Sequence, residues 1–365
     1  SQELRQRGLY LRLRAYESHA FMDFQEVEDD PSGSYRRLCD YLGGRGVPSV
    51  RESLRDLVLQ PIMQPYSQIA NPGYFRYLLD NPLSERQTAL PAQAAEELTA
   101  KLNAWYDGIQ WLNPGLGQRA LARERTRGAL EAVLGLDTLE KRPAYLRAAK
   151  AAALFNELRS GLLRLPESRP ALLAYAFLHG VGLLGGETGA GPRALSWLDE
   201  WQLSRPLGET FAALGLDDGQ RWRAMNTLRL LVAQQGWADS RGQLSALQQM
   251  QAWLGQPETQ SYLGINRYQD VLWFNHESFL SFVDWMCLLA VLDNESSAGV
   301  SAALRMERVL YLQELNQTLK AAEAASGYKV EGLLNALAAP TKAAKPKASA
   351  RKQAAEIAER KRKQS

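Results

Sequence analysis

The chain has 365 residues, of which 45% are hydrophobic, 9% aromatic and 23% charged. This composition excludes general disorder, and the length suffices for one large or two ordinary domains. Good helix formers such as Ala, Leu, Arg, Gln and Glu dominate, and runs of alternating β-branched residues are nearly absent. The composition therefore predicts an all-α fold, an irregular multi-helix array or bundle.

The net charge of +3 conceals two oppositely charged parts. Residues 338–365 carry nine Lys/Arg against two Glu, a net charge of +7, whereas the other 337 residues have a net charge of −4. Because residues 338–365 contain almost no large apolar side chains, they are predicted to form a disordered Lys/Arg/Ala-rich tail. Such a tail either only aids solubility or makes a weak electrostatic contact with nucleic acid or another polyanion.

Cysteine and histidine are sparse. The two cysteines, Cys39 and Cys287, fit a reducing compartment or simply serve as buried small apolar groups, and we expect a cytoplasmic protein. The three histidines, His19, His179 and His276, are far apart and none has metal-ligand spacing, so neither a metal nor another cofactor is expected. No signal peptide or membrane-spanning stretch is evident, so we expect no membrane contact.

Residues 1–83 are expected to form an N-terminal subdomain of short helices. Residues 3–22 predict a helix, although their leucines also alternate as in a strand. The acidic stretch that follows, 23–30, is interpreted as a solvated loop because it lacks the spacing of a calcium-binding loop. A helix is predicted at 35–42, ended by Gly43 and Gly44. A second begins at a capping box formed by Ser49 and Glu52 and ends at Pro61. A third begins after the cap Asn71.

Residues 84–337 are expected to form the main helical domain. Pro91 opens a helix that runs to Leu112, and connections of about 4 to 8 residues favour antiparallel neighbours. The further predicted helices are 116–134, 143–165, 170–184, 194–203, 207–214, one capped by Asp217/Asp218, 243–254, 300–325 and 329–337. The tryptophans of this region favour core packing over a carbohydrate platform.

Glycine is concentrated in residues 180–191, GVGLLGGETGAG. A phosphate-binding loop requires Lys and Ser/Thr after its last glycine, but Pro192 and Arg193 follow here. We therefore interpret the stretch as a flexible loop between helices.

The most apolar stretch is Leu263–Asp293. Asn275 is positioned to cap a helix over 276–292, in which few residues are polar. A helix that is apolar on nearly every side belongs in a core, and this one is too short to span a bilayer. The aromatic residues Tyr268, Trp273 and Phe274 are expected to pack over the same core.

The motif Trp273-Phe274-Asn275-His276-Glu277 places an amide, an imidazole and a carboxylate in a row. The arrangement is similar to the last conserved region of α-amylase-type catalytic barrels. The carboxylate motifs and alternating strands and helices of such barrels are absent from the sequence. Because the motif falls at a helix start, Asn275 is interpreted as a cap and no catalytic residue is assigned.

Four blocks in order resemble the helical region that follows the catalytic barrel in large bacterial α-amylase-family glycoside hydrolases. They are YESHAFMDFQEVEDD (16–30), YLGGRGVPSVRESLRDLVLQPI (41–62), SWLDEWQLSRPLGETFAALGL (196–216) and LGINRYQDVLWFNHESF (263–279). The resemblance spans about residues 10–295 and excludes the basic tail. It implies a parent protein that hydrolyses or transfers α-1,4-linked glucose, with its catalytic carboxylates outside this chain.

Three hypotheses follow. In the first, the chain is a non-catalytic accessory region whose partners are the catalytic barrel of the same polypeptide and an α-glucan. A start at Ser1 within a charged helical pattern fits a piece of a longer polypeptide, though tag removal would look the same. In the second, the chain is a helical interaction scaffold with a polyanion-binding tail. In the third, it is a small-molecule enzyme with a site around His179 or His276. No substrate-binding residue is assigned.

Overall fold

The fold was analysed in a computed structural model of the chain. The structure describes residues 6, 8, 12–18, 20, 22, 26–31, 33–146, 148–240, 244–297 and 299–339. It divides into two units, Ser1–Gln60 and Pro61–Ser365. The expected boundary near residue 84 stays a prediction. The expected tail falls almost entirely on residues 340–365, which lie outside the described residues.

The fold is an all-α helix array, as predicted. The α-helices, in chain order, are α1 (Ser34–Leu42), α2 (Val50–Tyr66), α3 (Pro72–Asp80), α4 (Ala92–Leu112), α5 (Arg119–Leu134), α6 (Ala149–Ser160), α7 (Ser168–Val181), α8 (Ala190–Glu200), α9 (Ser204–Ala213), α10 (Asp218–Ala233), α11 (Ala246–Leu254), α12 (Pro257–Tyr262), α13 (His276–Ser296), α14 (Ala302–Ser326) and α15 (Val330–Ala338). Short 3₁₀ helices lie at Leu136–Lys141, Leu162–Arg164, Gly182–Gly185 and Trp237–Ser240. One antiparallel hairpin pairs β1 (Asn266–Tyr268) with β2 (Val271–Trp273).

In the smaller unit, the acidic stretch caps α1. The carboxylate of Asp29 accepts hydrogen bonds from the backbone N–H groups of Tyr35 (2.8 Å) and Arg36 (3.1 Å), and Asp30 accepts one from Ser34 (3.1 Å). These donors would otherwise be unsatisfied at a helix start. Gly43, with φ of 54°, ends the helix as predicted.

Of the predicted helix over 3–22, the structure describes residues 6, 8, 12–18, 20 and 22, and the continuous stretch 12–18 is not helical. These residues form a turn in which Glu17 N donates to Arg14 O (3.1 Å) and Arg14 N donates to the Glu17 carboxylate (2.9 Å). The prediction is therefore wrong for 12–18, because a local side-chain acceptor satisfies the backbone in place of helical bonds.

Pro61 does not end α2, contrary to the prediction. The helix continues to Tyr66 with Pro61 and Pro65 inside it. Ile62 and Tyr66 are fully buried, and Tyr66 packs its ring on Trp105 of α4 at 4.8 Å between centroids. We attribute the continuation to this burial, which offsets the hydrogen bonds that proline cannot make.

Helix α13 is the expected central helix. Asn275 Oδ1 accepts a hydrogen bond from Ser278 N (2.8 Å), and 12 of the 21 helical residues are buried. It packs against α5 and α14. A second helix, α7, is buried along almost its whole length and packs between α5 and α10. A helix was predicted here, over 170–184, but its central position was not.

The aromatic stretch before α13 forms the hairpin, which was not predicted. Gln269 and Asp270 make its turn with φ of 48° and 61°, values that are uncommon outside glycine. Phe274 is buried, as expected, but the side chain of Tyr268 is 64% exposed, so its predicted packing over the core is wrong.

Helix α6 is shorter than the predicted 143–165. Residues 142–146 turn instead, and the Tyr145 hydroxyl donates to the Glu295 carboxylate at 2.5 Å. Arg142 forms an ion pair with the same carboxylate, which is almost fully buried. These contacts, made with a residue far along the chain, hold the segment out of the helix.

The glycine-rich stretch is not a flexible loop. It contains the end of α7, a 3₁₀ turn and the start of α8. A Cβ on Gly182 would lie 2.0 Å from Ala190 O, so glycine is required for the close approach of these segments. The Arg193 guanidinium donates to the carbonyls of Gly182, Gly186 and Thr188 at 2.5–3.0 Å. A loop whose carbonyls face inward onto an arginine does not cradle phosphate.

Candidate functional site

A cleft of about 240 Å³ opens in the larger unit where the start of α7, the middle of α10, the end of α12 and the start of α13 converge. Its polar lining residues are Glu167, Ser168, Arg223, Asn226, Thr227, Tyr262, Glu277, Ser278 and Ser281. Leu165, Trp222 and Trp285 complete the wall. A concave site that combines aromatic surface with several convergent polar groups is the usual form of a ligand site.

Two helix caps fix the positions of the polar walls. Asp217 and Gln220 form a capping box at the start of α10, where each side chain bonds the backbone of the other residue. Asn275 caps α13, which places Glu277 in its first turn. Because both caps are formed by residues close in sequence, the helices that carry the polar walls, α10 and α13, begin directly after Asp217 and Asn275.

Glu167 and Arg223 form an ion pair in the wall of the cleft. Arg223 Nε donates to Glu167 Oε1 at 2.5 Å, and this bond raises the pKa of the guanidinium. The Glu167 side chain is only 5% exposed, and its Oε2 atom has no hydrogen-bond partner. A buried carboxylate oxygen without a donor is costly, and the bond to Arg223 is the one side-chain hydrogen bond of this carboxylate among the described residues.

The floor of the cleft is made by Tyr262 and Trp285. The Tyr262 hydroxyl lies 2.9 Å from Ser281 Oγ, and burial raises the pKa of the phenol. Trp285 is 2% exposed. The floor therefore presents neutral groups that neither gain nor lose protons near neutral pH.

Trp222 provides the exposed aromatic surface of the cleft. Its side chain is 67% exposed, although tryptophan is normally buried. Core packing, predicted for the tryptophans of this region, is found for Trp197 and Trp201, which stack at 4.5 Å, but not for Trp222. The sequence carried a signal for this exception: Trp222 shares a helix face with Asn226 and Arg229, at i+4 and i+7, and that face is polar.

The charged groups of the cleft are Glu167, Arg223 and Glu277, a formal net charge of −1. This balance disfavours phosphates and other anions. Within the described residues, no cluster of three His, Cys, Asp or Glu side chains is arranged to hold a metal ion. The remaining lining favours a neutral ligand that both donates and accepts hydrogen bonds and has an apolar face.

The motif around Asn275 is divided among three roles. Asn275 is the cap, as predicted, and Glu277 lines the cleft. His276 turns away from the cleft: its Nδ1 lies 2.7 Å from Glu323 Oε1, and its ring lies 5.5 Å from that of Tyr328. Sequence reasoning considered Glu277 only for its charge at a helix start and missed its place in the cleft.

His179 lies apart from the cleft. Its Nδ1 is 2.9 Å from the Tyr175 hydroxyl, and burial lowers its pKa to about 4, with a further lowering by the charge of Arg125. Neither His179 nor His276 lines the cleft, and His19 lies outside the described residues. The hypothesis of a site around His179 or His276 gains no support from this geometry.

Comparison of the chain with models of protein families, with curated proteins and with solved structures found no match. Among the described residues, no helix is both long enough and apolar enough to cross a membrane.

Proposed function

We propose that this chain is a non-catalytic helical accessory region of a bacterial α-amylase-like glycoside hydrolase, in which it positions α-glucan for the catalytic barrel of the same polypeptide. The proposal joins the resemblance of four sequence blocks to the geometry of the cleft. Cys39 and Cys287 are free cysteines, which fits a cytoplasmic location.

The observation that carries the proposal is the exposed indole of Trp222 beside polar, nearly neutral walls. A glucose ring has an apolar face of C–H bonds and a rim of hydroxyl groups. The indole offers a flat apolar surface for the C–H face of the sugar. Asn226, Ser278 and the charged groups offer hydrogen-bond donors and acceptors for its hydroxyl groups. A cleft of about 240 Å³ holds one or two sugar rings of a longer chain, so the rest of a glucan extends out of it.

The proposal assigns glucan contact, and not bond cleavage, to the cleft. Glycoside hydrolysis needs one carboxylic acid and one carboxylate on either side of the scissile bond. The Glu167 carboxylate is almost fully buried and bonded to Arg223, so it is not placed to protonate a leaving group in the cleft. The catalytic carboxylates therefore belong to the barrel in this proposal.

The test is a titration of the 365-residue chain with maltohexaose, followed by calorimetry. We expect Trp222→Ala to weaken binding by tenfold or more, in line with the loss of a central aromatic contact. Trp111→Ala is the matched control, because Trp111 is also an exposed tryptophan on a helix, at 56%, and does not line the cleft. Unchanged affinity in Trp222→Ala, or no binding by the unaltered chain, would overturn the proposal.

Membership of a larger enzyme is tested separately. The open reading frame that encodes this chain is expected to encode an α-amylase-type barrel in frame and upstream of Ser1. A start codon with its ribosome-binding site directly before Ser1 would contradict it.

A further inference from the structure

Two opposite charges line the same cleft without pairing. Arg223 lies on α10 and Glu277 in the first turn of α13, and both side chains are exposed. Arg223 bonds Glu167 through Nε, and its two terminal nitrogens make no hydrogen bond or ion pair among the described residues, although the charge of Asp217 also contributes to the raised pKa of the guanidinium. Glu277 likewise makes no hydrogen bond or ion pair within the described part of the chain.

We infer that Arg223 and Glu277 together bind two neighbouring hydroxyl groups of one sugar ring. This inference rests on the proposed function and specifies the chemistry that the cleft recognises. Arg223 donates to the hydroxyl oxygens, and Glu277 accepts from the hydroxyl hydrogens.

The chemistry of a vicinal diol fits this pair of side chains. Each hydroxyl group donates one hydrogen bond and accepts others, so two neighbouring hydroxyls require both a donor and an acceptor. A guanidinium only donates and a carboxylate only accepts, and each forms a charge-assisted bond that is stronger than a neutral one. Glucose units in an α-1,4-glucan carry such a pair at C2 and C3.

Glu167 acts as the positioning residue for this contact. Its buried carboxylate fixes Arg223 through Nε at 2.5 Å, which leaves the terminal nitrogens of the planar guanidinium for a ligand. Arg223 is bonded to Glu167 and not to Glu277. The two charges therefore stay available instead of collapsing onto each other.

The decisive variant is Glu277→Ala, because Glu277 is exposed and makes no contact on which the fold depends. Its matched control is Glu331→Ala, since Glu331 is also an exposed carboxylate in the first turn of a helix, α15. Two probes are titrated against the full chain: maltohexaose by calorimetry, and trans-1,2-cyclohexanediol by the NMR shift of the Trp222 indole N–H. The second probe supplies two adjacent hydroxyls without a glucan.

We expect Glu277→Ala to weaken maltohexaose binding roughly ten- to hundred-fold and to reduce the diol shift, with both unchanged in Glu331→Ala. If Trp222→Ala weakens maltohexaose binding but Glu277→Ala does not, the inference is wrong and the proposed function stands. If maltohexaose does not bind but the diol shift depends on Glu277, the diol site stands and the α-glucan assignment fails. If neither probe binds, both are refuted.

Discussion

Among the described glycines, Gly108 is the one at which an added methyl group would approach a backbone atom most closely. It lies in α4 against α2, and a Cβ there would be 1.9 Å from Pro61 O and 2.7 Å from Pro61 C. Ordinary contacts of this kind are 3.4 Å or longer, so the backbones of the two helices must separate by about 1.5 Å to admit the methyl group. No side-chain rotation relieves the overlap, because the atoms that it meets are backbone atoms.

Two opposing effects set the size of the change for Gly108→Ala. Alanine is favoured over glycine inside a helix by about 1 kcal/mol. Overpacking of a dense interior typically costs about 1–3 kcal/mol, and a displacement that also separates Trp105 from Tyr66 belongs at the upper end or beyond. We therefore expect Gly108→Ala to lower the free energy of unfolding by about 2 kcal/mol or more.

Gly208→Ala is the matched control. Gly208 is also inside a helix, α9, but a Cβ there meets nothing within 4 Å. The helix-propensity gain then acts alone, so this variant should be about 1 kcal/mol more stable than the unaltered chain. Urea unfolding followed by circular dichroism measures both variants. If Gly108→Ala is as stable as Gly208→Ala, the close approach of α2 and α4 is not as described.

Two further predictions concern protonation and the tail. Because burial lowers the pKa of His179 to about 4 from about 6.5 in the unfolded chain, the unfolded state binds the extra proton between these values. The stability that neutral His179 provides is thus complete above about pH 6.5 and is lost as pH falls to about 4. Urea unfolding measured across this pH range should show that the free energy of unfolding falls less steeply with pH in His179→Gln than in the unaltered chain. Equal slopes in the two proteins would refute the assignment. Removal of residues 338–365 takes away a net charge of +7. Polyphosphate binding should therefore weaken steeply with salt in the full chain and vanish in the truncated one. Salt-independent binding, or binding that survives truncation, would contradict the assignment of polyanion binding to the tail.

Local signals in the sequence predicted the helix starts well. Asn71, Asp217 and Asn275 were each expected to cap a helix, and each side chain accepts a hydrogen bond from a backbone N–H three residues on. Capping depends only on neighbours in sequence, so it can be recognised without the fold. The all-α class was likewise predicted without the fold, because good helix formers dominate the composition.

The errors arise where distant residues decide the conformation. Pro61 remains in a helix because of burial against α4, and Tyr145 leaves the helical pattern for Glu295, which is 150 positions away. The cleft was invisible for the same reason, since Glu167 and Arg223 are 56 positions apart. Only the exposed position of Trp222 could have been found beforehand, from the polar face that it shares with Asn226.

The walls of the cleft come from segments around Glu167, Arg223 and Glu277, which no short peptide of this chain contains together. The cleft consequently exists only in the folded larger unit, and whatever binds there binds the native state and not the unfolded one. Mass action then couples ligand concentration to folding: a ligand present at a hundred times its dissociation constant adds about 2.7 kcal/mol to the stability of the chain. A ligand of the cleft would therefore raise the fraction of this helical array that survives thermal stress and proteolysis.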